Sequence, residues 1–336
     1  MQFQLPISIK KSENKITYRD AIFLIGSCFT EYIGNSLAEA KISVFQNPSG
    51  ILFNPQSVCE TLIATIKNKK VDENNLFQLN EVWHSWNHHS RFSHVDKKAC
   101  LENINTTQTN SHHFLKNADW LIVTLGSAFC YKLTSNAQLA NLSVGGCVAN
   151  CHRAPANWFT KSLLEVDEIN NLLINLNKEL NAFNPKLKII FTISPVRHVR
   201  DGVVENNRSK ARLIESVHSL INKYETISYF PSYELLIDVL RDYRFYDIDL
   251  VHPNFMATEF VLQKFVETYM SQEQLGLMEE LKKIAIAKKH KPFHPSTNSH
   301  KEFLNKQVEN IKSILQRYSY LNLQEDLNYF KAEVDK

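Results

Sequence analysis

Short apolar runs alternate along the chain with segments whose apolar residues recur every three or four positions. The short runs are rich in β-branched and aromatic residues, which is typical of strands buried on both faces. They predict strands at 22–25, 43–45, 122–125, 189–193 and 227–229. The amphipathic segments predict helices at 56–67, 158–183, 210–224, 233–241 and 254–270. Because strands that alternate with helices pair in parallel, the pattern predicts a doubly wound α/β sheet.

The order of the strands and the edge that binds ligands follow from this fold class. By analogy with flavodoxin-like sheets, we expect the strand at 22–25 between those at 43–45 and 122–125. Ligands of such sheets bind at the carboxyl ends of the strands. Three predicted strands end there at small residues, Gly26-Ser27-Cys28, Gly126-Ser127 and Ser194-Pro195. The sequence therefore predicts a site along this edge.

The segment 76–94 combines two tryptophans with four histidines. His84 and His88 are four residues apart, which on a helix would place both on one face, as in zinc sites. The alternation of apolar and polar residues favours strands or a hairpin instead, so no metal site is expected here. His84 or His89 lining an acyl pocket is favoured over a metal site, and simple packing is favoured over both.

Beyond Gly276 the chain becomes richer in charge and predicts helices at 279–291 and 300–320. We therefore divide the sequence into an α/β domain, 1–275, and a C-terminal helical extension, 276–336. The extension is expected to pack on the core or on a second subunit, and the second arrangement would make a homodimer.

Composition excludes several classes of protein. The chain of 336 residues has a net charge of +3, too close to neutral for a nucleic-acid-binding protein. Its six cysteines lack metal-binding spacing, and no cofactor is expected. No apolar signal region begins the sequence, and no run is long enough to span a membrane. These features predict a reduced, cytoplasmic protein of enzyme size.

Two motifs carry candidate chemistry. Gly26 ends the first strand, and the apolar stripe that follows predicts a helix, so Ser27 and Cys28 lie at a helix N-terminus. The N–H groups and the dipole there favour a thiolate and can bind an oxyanion. Asp249 precedes His252 by three residues, so its carboxylate can fix the imidazole tautomer and leave the other nitrogen free to act as a base. The alternative for this pair is a capped turn with a surface histidine.

Several separated segments together resemble one bacterial family. They are Gly26-Ser27-Cys28-Phe29-Thr30, Trp83-His84-Ser85, Leu125-Gly126-Ser127, Asn150-Cys151-His152, Ser194-Pro195-Val196-Arg197-His198, Asp201-Gly202, Glu205-Asn206 and Asp249-Leu250-Val251-His252-Pro253. In this order they resemble the GSCFA family of the SGNH/GDSL hydrolase superfamily, from about residue 20 to residue 305. The resemblance implies a three-layer α/β/α fold with a flavodoxin-like parallel sheet, and it supplies no substrate.

The chain departs from the superfamily pattern at two positions. The first superfamily block reads Gly, Asp, Ser, so Gly26 in register places Ser27 at the Asp position and Cys28 at the serine position. Cys28 is thus the preferred nucleophile and Ser27 the alternative; a third interpretation makes Cys28 a small buried hydrophobic residue.

The second departure concerns the oxyanion hole. Ala128 stands where the superfamily has an asparagine donor. The Cys28 N–H, the Ser127 hydroxyl or the Asn150 amide could replace that donor.

Arg197 and His198 directly follow the strand at 189–193, on the predicted active edge. The planar guanidinium of Arg197 could bind a carboxylate or phosphate of a substrate. An internal ion pair with Asp201 or Glu205 is an equally weighted alternative.

These observations predict an enzyme. We expect ester hydrolysis or acyl transfer through Cys28 or Ser27, with His252 as general base and Asp249 orienting it. The substrate class is an ester of a small molecule, a lipid or a glycan. The alternative is a non-catalytic protein that retains the SGNH fold and binds a glycan or another small ligand.

Overall fold

The computed structural model describes residues 5–137 and 146–335 of the chain. Contacts divide these residues into two compact units. The first comprises 5–9, Ala21–Gly34 and Val44–Gln263, and the second comprises Lys10–Asp20, Asn35–Ser43 and 264–335. The second unit therefore begins before the expected start of the extension at 276, and it also includes two segments from early in the chain.

The strands include all of those expected from the apolar runs, together with several shorter ones. In chain order they are β1 Ala21–Gly26, β2 Ser43–Gln46, β3 Phe77–Leu79, β4 Val82–His84, β5 Trp120–Leu125, β6 Phe129–Leu133, β7 Cys147–Val148, β8 Phe159–Leu163, β9 Lys188–Ile193 and β10 Ile227–Phe230. Five of them form the central sheet in the order β10-β9-β5-β1-β2. The predicted parallel sheet is confirmed, and β1 lies between β2 and β5 as expected.

Burial explains why the central strands are apolar throughout. Every residue of β5 is buried, and so are all but the first residues of β1 and β9. A strand covered on both faces requires helices on both sides of the sheet, so it cannot alternate with polar residues. The parallel pairing also aligns the strand ends, because Gly26 lies opposite Thr124 and Leu125 opposite Ile193. The residues that follow these strands therefore share one edge.

Helices flank the sheet and continue to the C-terminus. They are α1 Cys28–Glu39, α2 Pro55–Ile66, α3 Lys97–Asn117, α4 Val166–Phe183, α5 Val203–Ile221, α6 Ser232–Glu234, α7 Phe255–Tyr269, α8 Gln272–Lys289, α9 Asn298–Arg317 and α10 Gln324–Val334. After α6 the chain continues as a π-helical segment, Leu235–Leu240. Among the helices within 5–137 and 146–335, none is both long and apolar enough to cross a membrane.

The prediction of one helix over 158–183 is wrong in its first part. Residues Phe159–Leu163 form β8, which pairs antiparallel with β6. The helix begins only at Val166, where Glu165 and Glu168 form a reciprocal capping box. A local start signal therefore overrides the apolar spacing that extends upstream of it.

Two small sheets accompany the central one. The predicted hairpin is present as β3 and β4, and β6 forms a separate sheet with β7 and β8. A disulfide joins Cys130 in β6 to Cys147 in β7 across 5.9 Å between Cα atoms. The expectation that the cysteines are reduced is therefore wrong for this pair. Because stable disulfides are rare in the cytosol, the pair adds no support to the expected cytoplasmic location.

The second unit is helical and is held by a buried carboxylate. Asp326 on α10 is 1% exposed and pairs with Lys41 at 2.6 Å and with Lys288 at 3.2 Å. An ion that is removed from water is stable only with such partners. Ile16 also bridges to Met270, so the early segment is part of this unit.

Candidate active site

Gly26 ends β1 in a conformation that other residues rarely adopt. Its φ is +142°, and a Cβ built on it would lie 2.1 Å from the Thr124 carbonyl oxygen. Its N–H donates to Asn47 Oδ1 at 2.9 Å, and its carbonyl accepts from Leu52 N at 2.9 Å. The turn that presents Ser27 and Cys28 is therefore fixed by close contact between two strands.

Gly26→Ala is expected to destabilise the protein by at least ~2 kcal/mol, because the backbone must shift to admit a methyl group. The matched control is Gly276→Ala in α8, where a Cβ has no neighbour within 4 Å. That change is expected to be neutral or to stabilise by about 0.5–1 kcal/mol. Urea unfolding measures both. Equal effects of the two substitutions would contradict the close contact at Gly26.

Ser27 and Cys28 differ in access to solvent. Ser27 is 0% exposed, and its Oγ has no hydrogen-bond partner among the described residues. Cys28 is half-buried and is the first residue of α1. Only Cys28 of the two therefore offers a nucleophile that a substrate can reach without rearrangement of the turn.

The expected low pKa of Cys28 is not found. Burial raises the pKa of the Cys28 thiol above its ordinary value, although the N–H groups of Phe29 and Cys28 and the positive charge of Lys210 act in the opposite direction. The helix N-terminus thus favours the thiolate, as expected, but desolvation is the larger effect. A base must then take the thiol proton during attack.

Asp249 and His252 form the expected pair. Asp249 Oδ2 lies 2.6 Å from His252 Nδ1, and its Oδ1 accepts from the N–H groups of Val251 and His252 at 2.9 and 3.0 Å. These hydrogen bonds, with those from His252 first, lower the pKa of Asp249 to about 2. The side chains of His252 and Asp249 remain 48% and 45% exposed. The carboxylate thus orients the imidazole through Nδ1, and Nε2 takes no part in this contact.

The structure does not join this pair to the nucleophile turn. Within the described parts of the chain, no hydrogen bond connects His252 to Cys28 or to Ser27. His198 lies beside the residue that follows β5, because its Nε2 would be 3.2 Å from a Cβ built on Gly126. Burial, the largest cause, lowers the pKa of His198 to about 4, so its ring is neutral at pH 7.

Lys210 on α5 lies at the candidate site, and the sequence interpretation missed it. It is 1% exposed, and its Nζ donates to the carbonyls of Gly126 and Ser194, each at 2.7 Å. These carbonyls follow β5 and β9, so one ammonium group ties two strand ends together. Burial lowers the pKa of Lys210 to about 7, and the nearby Cys28 opposes this shift. The sequence did contain an indication of this burial. Lys210, Leu213 and Val217 recur at helical spacing, so they lie on the same buried face of α5.

The three remaining oxyanion or pocket candidates have contacts of their own. The Ser127 hydroxyl accepts from Phe129 N at 3.2 Å and lies 3.3 Å from Ser209 Oγ, which favours a structural role over the expected oxyanion role. Asn150 Oδ1 accepts from His152 N at 2.8 Å, and its amide stays a candidate donor.

His84 contacts Ser93 Oγ at 2.7 Å and packs against the rings of Phe77 and His152. These contacts favour the packing interpretation. In residues 5–137 and 146–335, no group of three or more His, Cys, Asp or Glu side chains is arranged to hold a metal ion.

A cavity of about 530 Å³ lies elsewhere in the first unit. Ser57 and Thr61 of α2, Trp86 and His88 after β4, and Val148 of β7 contribute to its wall. None of the predicted site residues lines it. The cavity therefore gives no support to the expected acyl pocket at His84.

The internal ion pair considered for Arg197 is not formed. Asp201 pairs with Lys161, and Glu205 pairs with Arg208 at 2.8 Å. The Arg197 guanidinium instead lies 4.3 Å from the centre of the Tyr246 ring, and its backbone N–H donates to Val251 O at 3.2 Å. Arg197 is thereby attached to the segment that carries His252.

A parallel sheet with candidate chemistry on its carboxyl edge defines the chain as a doubly wound α/β protein. The family model described as "GSCFA family" matches residues 21–265, and a second, "GSCFA domain protein, C-terminal domain", matches residues 281–336. The chain therefore belongs to the GSCFA family. This membership confirms the resemblance that the sequence motifs indicated.

The solved structures that match this chain include two esterases. One is a carbohydrate esterase family 3 protein from Talaromyces cellulolyticus, with 10% identity, a TM-score of 0.37, and coverage of 78% of this chain and 99% of its own. The other is the acetyl xylan esterase Est2A from Butyrivibrio proteoclasticus, with 12% identity, a TM-score of 0.36, and coverage of 79% and 67%. A comparison with curated proteins gives no match.

Proposed function

We propose that this protein cleaves or transfers acyl esters, with Cys28 as nucleophile, His252 as general base and Asp249 as the residue that orients the base. The observation that carries this proposal is the 2.6 Å contact between Asp249 Oδ2 and His252 Nδ1. It holds the imidazole in the tautomer whose Nε2 can accept a proton. Cys28 lies at the end of β1, on the carboxyl edge of the same sheet.

The chemistry proceeds in two balanced steps. The Cys28 sulfur attacks the acyl carbonyl carbon while His252 Nε2 accepts the thiol proton, and the C–O bond to the alcohol breaks as that proton passes to the leaving oxygen. This step leaves a thioester on Cys28. A water molecule or a second alcohol, deprotonated by His252, then attacks the thioester carbonyl, and the sulfur leaves with a proton. Water gives hydrolysis, and an alcohol gives acyl transfer.

The N–H groups of Cys28 and Phe29 are the proposed oxyanion donors. Both groups lower the pKa of the Cys28 thiol, and both belong to the first residues of α1. A carbonyl oxygen that becomes negative during attack at this sulfur lies within their reach. This proposal replaces the missing asparagine at Ala128, whose side chain is buried and has no donor.

The surroundings of His252 support an ester with an apolar portion. Ile248, Leu250, Phe255 and Met256 lie within four residues of it, and all are exposed. Exposed apolar side chains close to a catalytic group commonly bind apolar ligand surface. Among small-molecule, lipid and glycan esters, this feature favours those with an acyl chain.

His252→Ala is expected to lower kcat/KM for an aryl ester by about 10²–10⁴-fold, because the proton acceptor is lost. Asp249→Asn is also expected to lower kcat/KM strongly, since an amide N–H that donates to Nδ1 favours the tautomer whose Nε2 carries the proton. Stopped-flow release of 4-nitrophenol measures both variants. His113→Ala, an exposed position on α3, is the control and should match wild type. Full activity of His252→Ala would rule out the proposed base.

The alternative is a non-catalytic protein that binds a glycan or another small ligand. Two observations favour it: no hydrogen bond in the described residues links Cys28 to His252, and Ala128 cannot donate to an oxyanion. A panel of esters and thioesters separates the two functions. Turnover that requires Cys28 supports the enzyme, whereas saturable ligand binding without turnover supports the binding protein.

A further inference from the structure

Arg197 stands in a fixed position beside the proposed base. Its backbone N–H donates to Val251 O at 3.2 Å, one residue before His252. Its guanidinium lies over two aromatic rings, 4.3 Å from the centre of Tyr246 and 5.3 Å from that of Tyr243. Tyr246 is buried and so provides a rigid support. The charge is therefore held in place without a partner of opposite sign.

Several of the neighbouring ionic groups are paired with one another. Their pairs are Asp201 with Lys161, Glu205 with Arg208, Asp242 with Arg244, and Asp249 with His252. Among the described residues, Arg197 makes no ion pair and its guanidinium donates no hydrogen bond. It is half-buried, so it has lost part of its hydration without gaining a carboxylate.

We infer that Arg197 forms a subsite for a carboxylate or phosphate group carried by the ester substrate. The tyrosine rings orient the planar fork, which can donate two parallel hydrogen bonds to such an anion. The neutral His198 adjoins it and adds no competing charge at pH 7. This inference rests on the proposed function, and it narrows the substrate class to anionic esters.

Matched pairs of esters test the inference. In the first pair, 4-nitrophenyl hemisuccinate carries an anion on its acyl group and 4-nitrophenyl butyrate is its neutral partner. In the second pair, 3-acetoxybenzoate carries an anion on its alcohol part and its methyl ester is the neutral partner. Wild type is expected to prefer the anionic member of one pair. The pair that shows this preference tells whether the acyl part or the alcohol part of the substrate carries the anion. Arg197→Gln should lower kcat/KM for that anionic ester by about 10–100-fold, as for loss of hydrogen bonds to a charged group. Its neutral partner should change by less than about threefold.

Two further variants distinguish the loss of the charge or of the planar guanidinium from a general loss of activity. Arg197→Lys retains the charge but loses the fork, so partial recovery is expected. Arg208→Gln removes an arginine that is already paired with Glu205, and it should leave the preference unchanged. An equal loss on the neutral and anionic esters in Arg197→Gln would overturn the inference and make Arg197 a support for the His252 segment.

A binding measurement keeps this inference separate from the proposed function. Titration of inorganic phosphate into wild-type protein, followed by the NMR signal of Arg197 Nε, should give a saturable shift that is absent for Arg208. If no ester is turned over but the shift appears, the proposed function fails and the anion subsite stands. If wild type shows neither the shift nor an anionic preference, the subsite does not exist.

Discussion

Cys28→Ala is expected to reduce ester turnover to the uncatalysed background, a loss of at least ~10⁴-fold in kcat, because no thioester can form. Ser27→Ala should retain most activity, since the Ser27 side chain is 0% exposed and a substrate cannot reach it. Cys28→Ser should keep a small fraction, because a hydroxyl at this position can use the same base. Mass spectrometry of the wild-type reaction should find the acyl group on the peptide that contains Cys28.

The pH dependence of alkylation adds an independent test of this assignment. Because burial raises the pKa of Cys28, iodoacetamide labelling should increase into the alkaline range and not saturate below the ordinary thiol pKa of about 8.5. Lys210→Met should change this labelling profile little, because burial lowers the pKa of Lys210 to about 7 and its amine is already neutral where the thiol titrates. Full activity in Cys28→Ala with none in Ser27→Ala would transfer the role to Ser27. Full activity in both would exclude a nucleophile at this turn.

The central sheet could be predicted because each of its strands is buried on both faces. Such strands must be continuously apolar, and this pattern is visible in a single sequence. Strands β6 and β8 were missed because they are half-exposed and carry polar residues such as Lys132 and Lys161. Helix α3 was missed for a similar reason: its buried positions include Gln108 and Ser111, which do not read as apolar.

The geometry of the candidate site was predictable where its residues are close in sequence. Asp249 and His252 are three residues apart, so one turn brings their side chains together, and the strand-to-helix turn at Cys28 depends on adjacent residues. Lys210 contacts carbonyls 84 and 16 residues away, and only the fold reveals that its charge is buried. Because lysine side chains are normally exposed, the residue type alone predicts a surface position for Lys210 and not a buried one.

The second large effect expected is a pH-dependent change in stability when Lys210 is replaced by methionine. Folding lowers the pKa of this lysine to about 7 from an ordinary value of 10.5, chiefly by burial. Between these values the unfolded chain binds a proton that the folded chain does not, so Lys210 adds stability to wild type as the pH rises. Relative to Lys210→Met, wild type should gain ~1.4 kcal/mol per pH unit above about pH 7, approaching about 5 kcal/mol in total.

The sign of the effect at each end of the range follows from two opposing contributions. At high pH the variant should be less stable than wild type, because the carbonyls of Gly126 and Ser194 lose their hydrogen-bond donor. Each buried carbonyl left without a donor costs ~1–3 kcal/mol of stability. Near pH 7 this loss is offset, since wild type must bury a charged group or release its proton. Urea unfolding from pH 7 to 9.5 measures the difference, and other titrating groups cancel because both proteins contain them. Lys223→Met, at an exposed position after the same helix, is the control substitution.

The same experiment in the Cys28→Ala background tests the charge state of the thiol near Lys210. Only a thiolate raises the pKa of Lys210, and burial keeps the Cys28 thiol protonated near pH 7, so removing the thiol should leave the onset of the rise unchanged. An onset that moves to lower pH in Cys28→Ala would mean that Cys28 is already a thiolate at neutral pH. A stability difference that stays flat from pH 7 to 9.5 would mean that Lys210 keeps its proton throughout this range. Its two carbonyl acceptors would then stabilise the ammonium form enough to outweigh the cost of burial, and the group beside Cys28 would be a permanent cation.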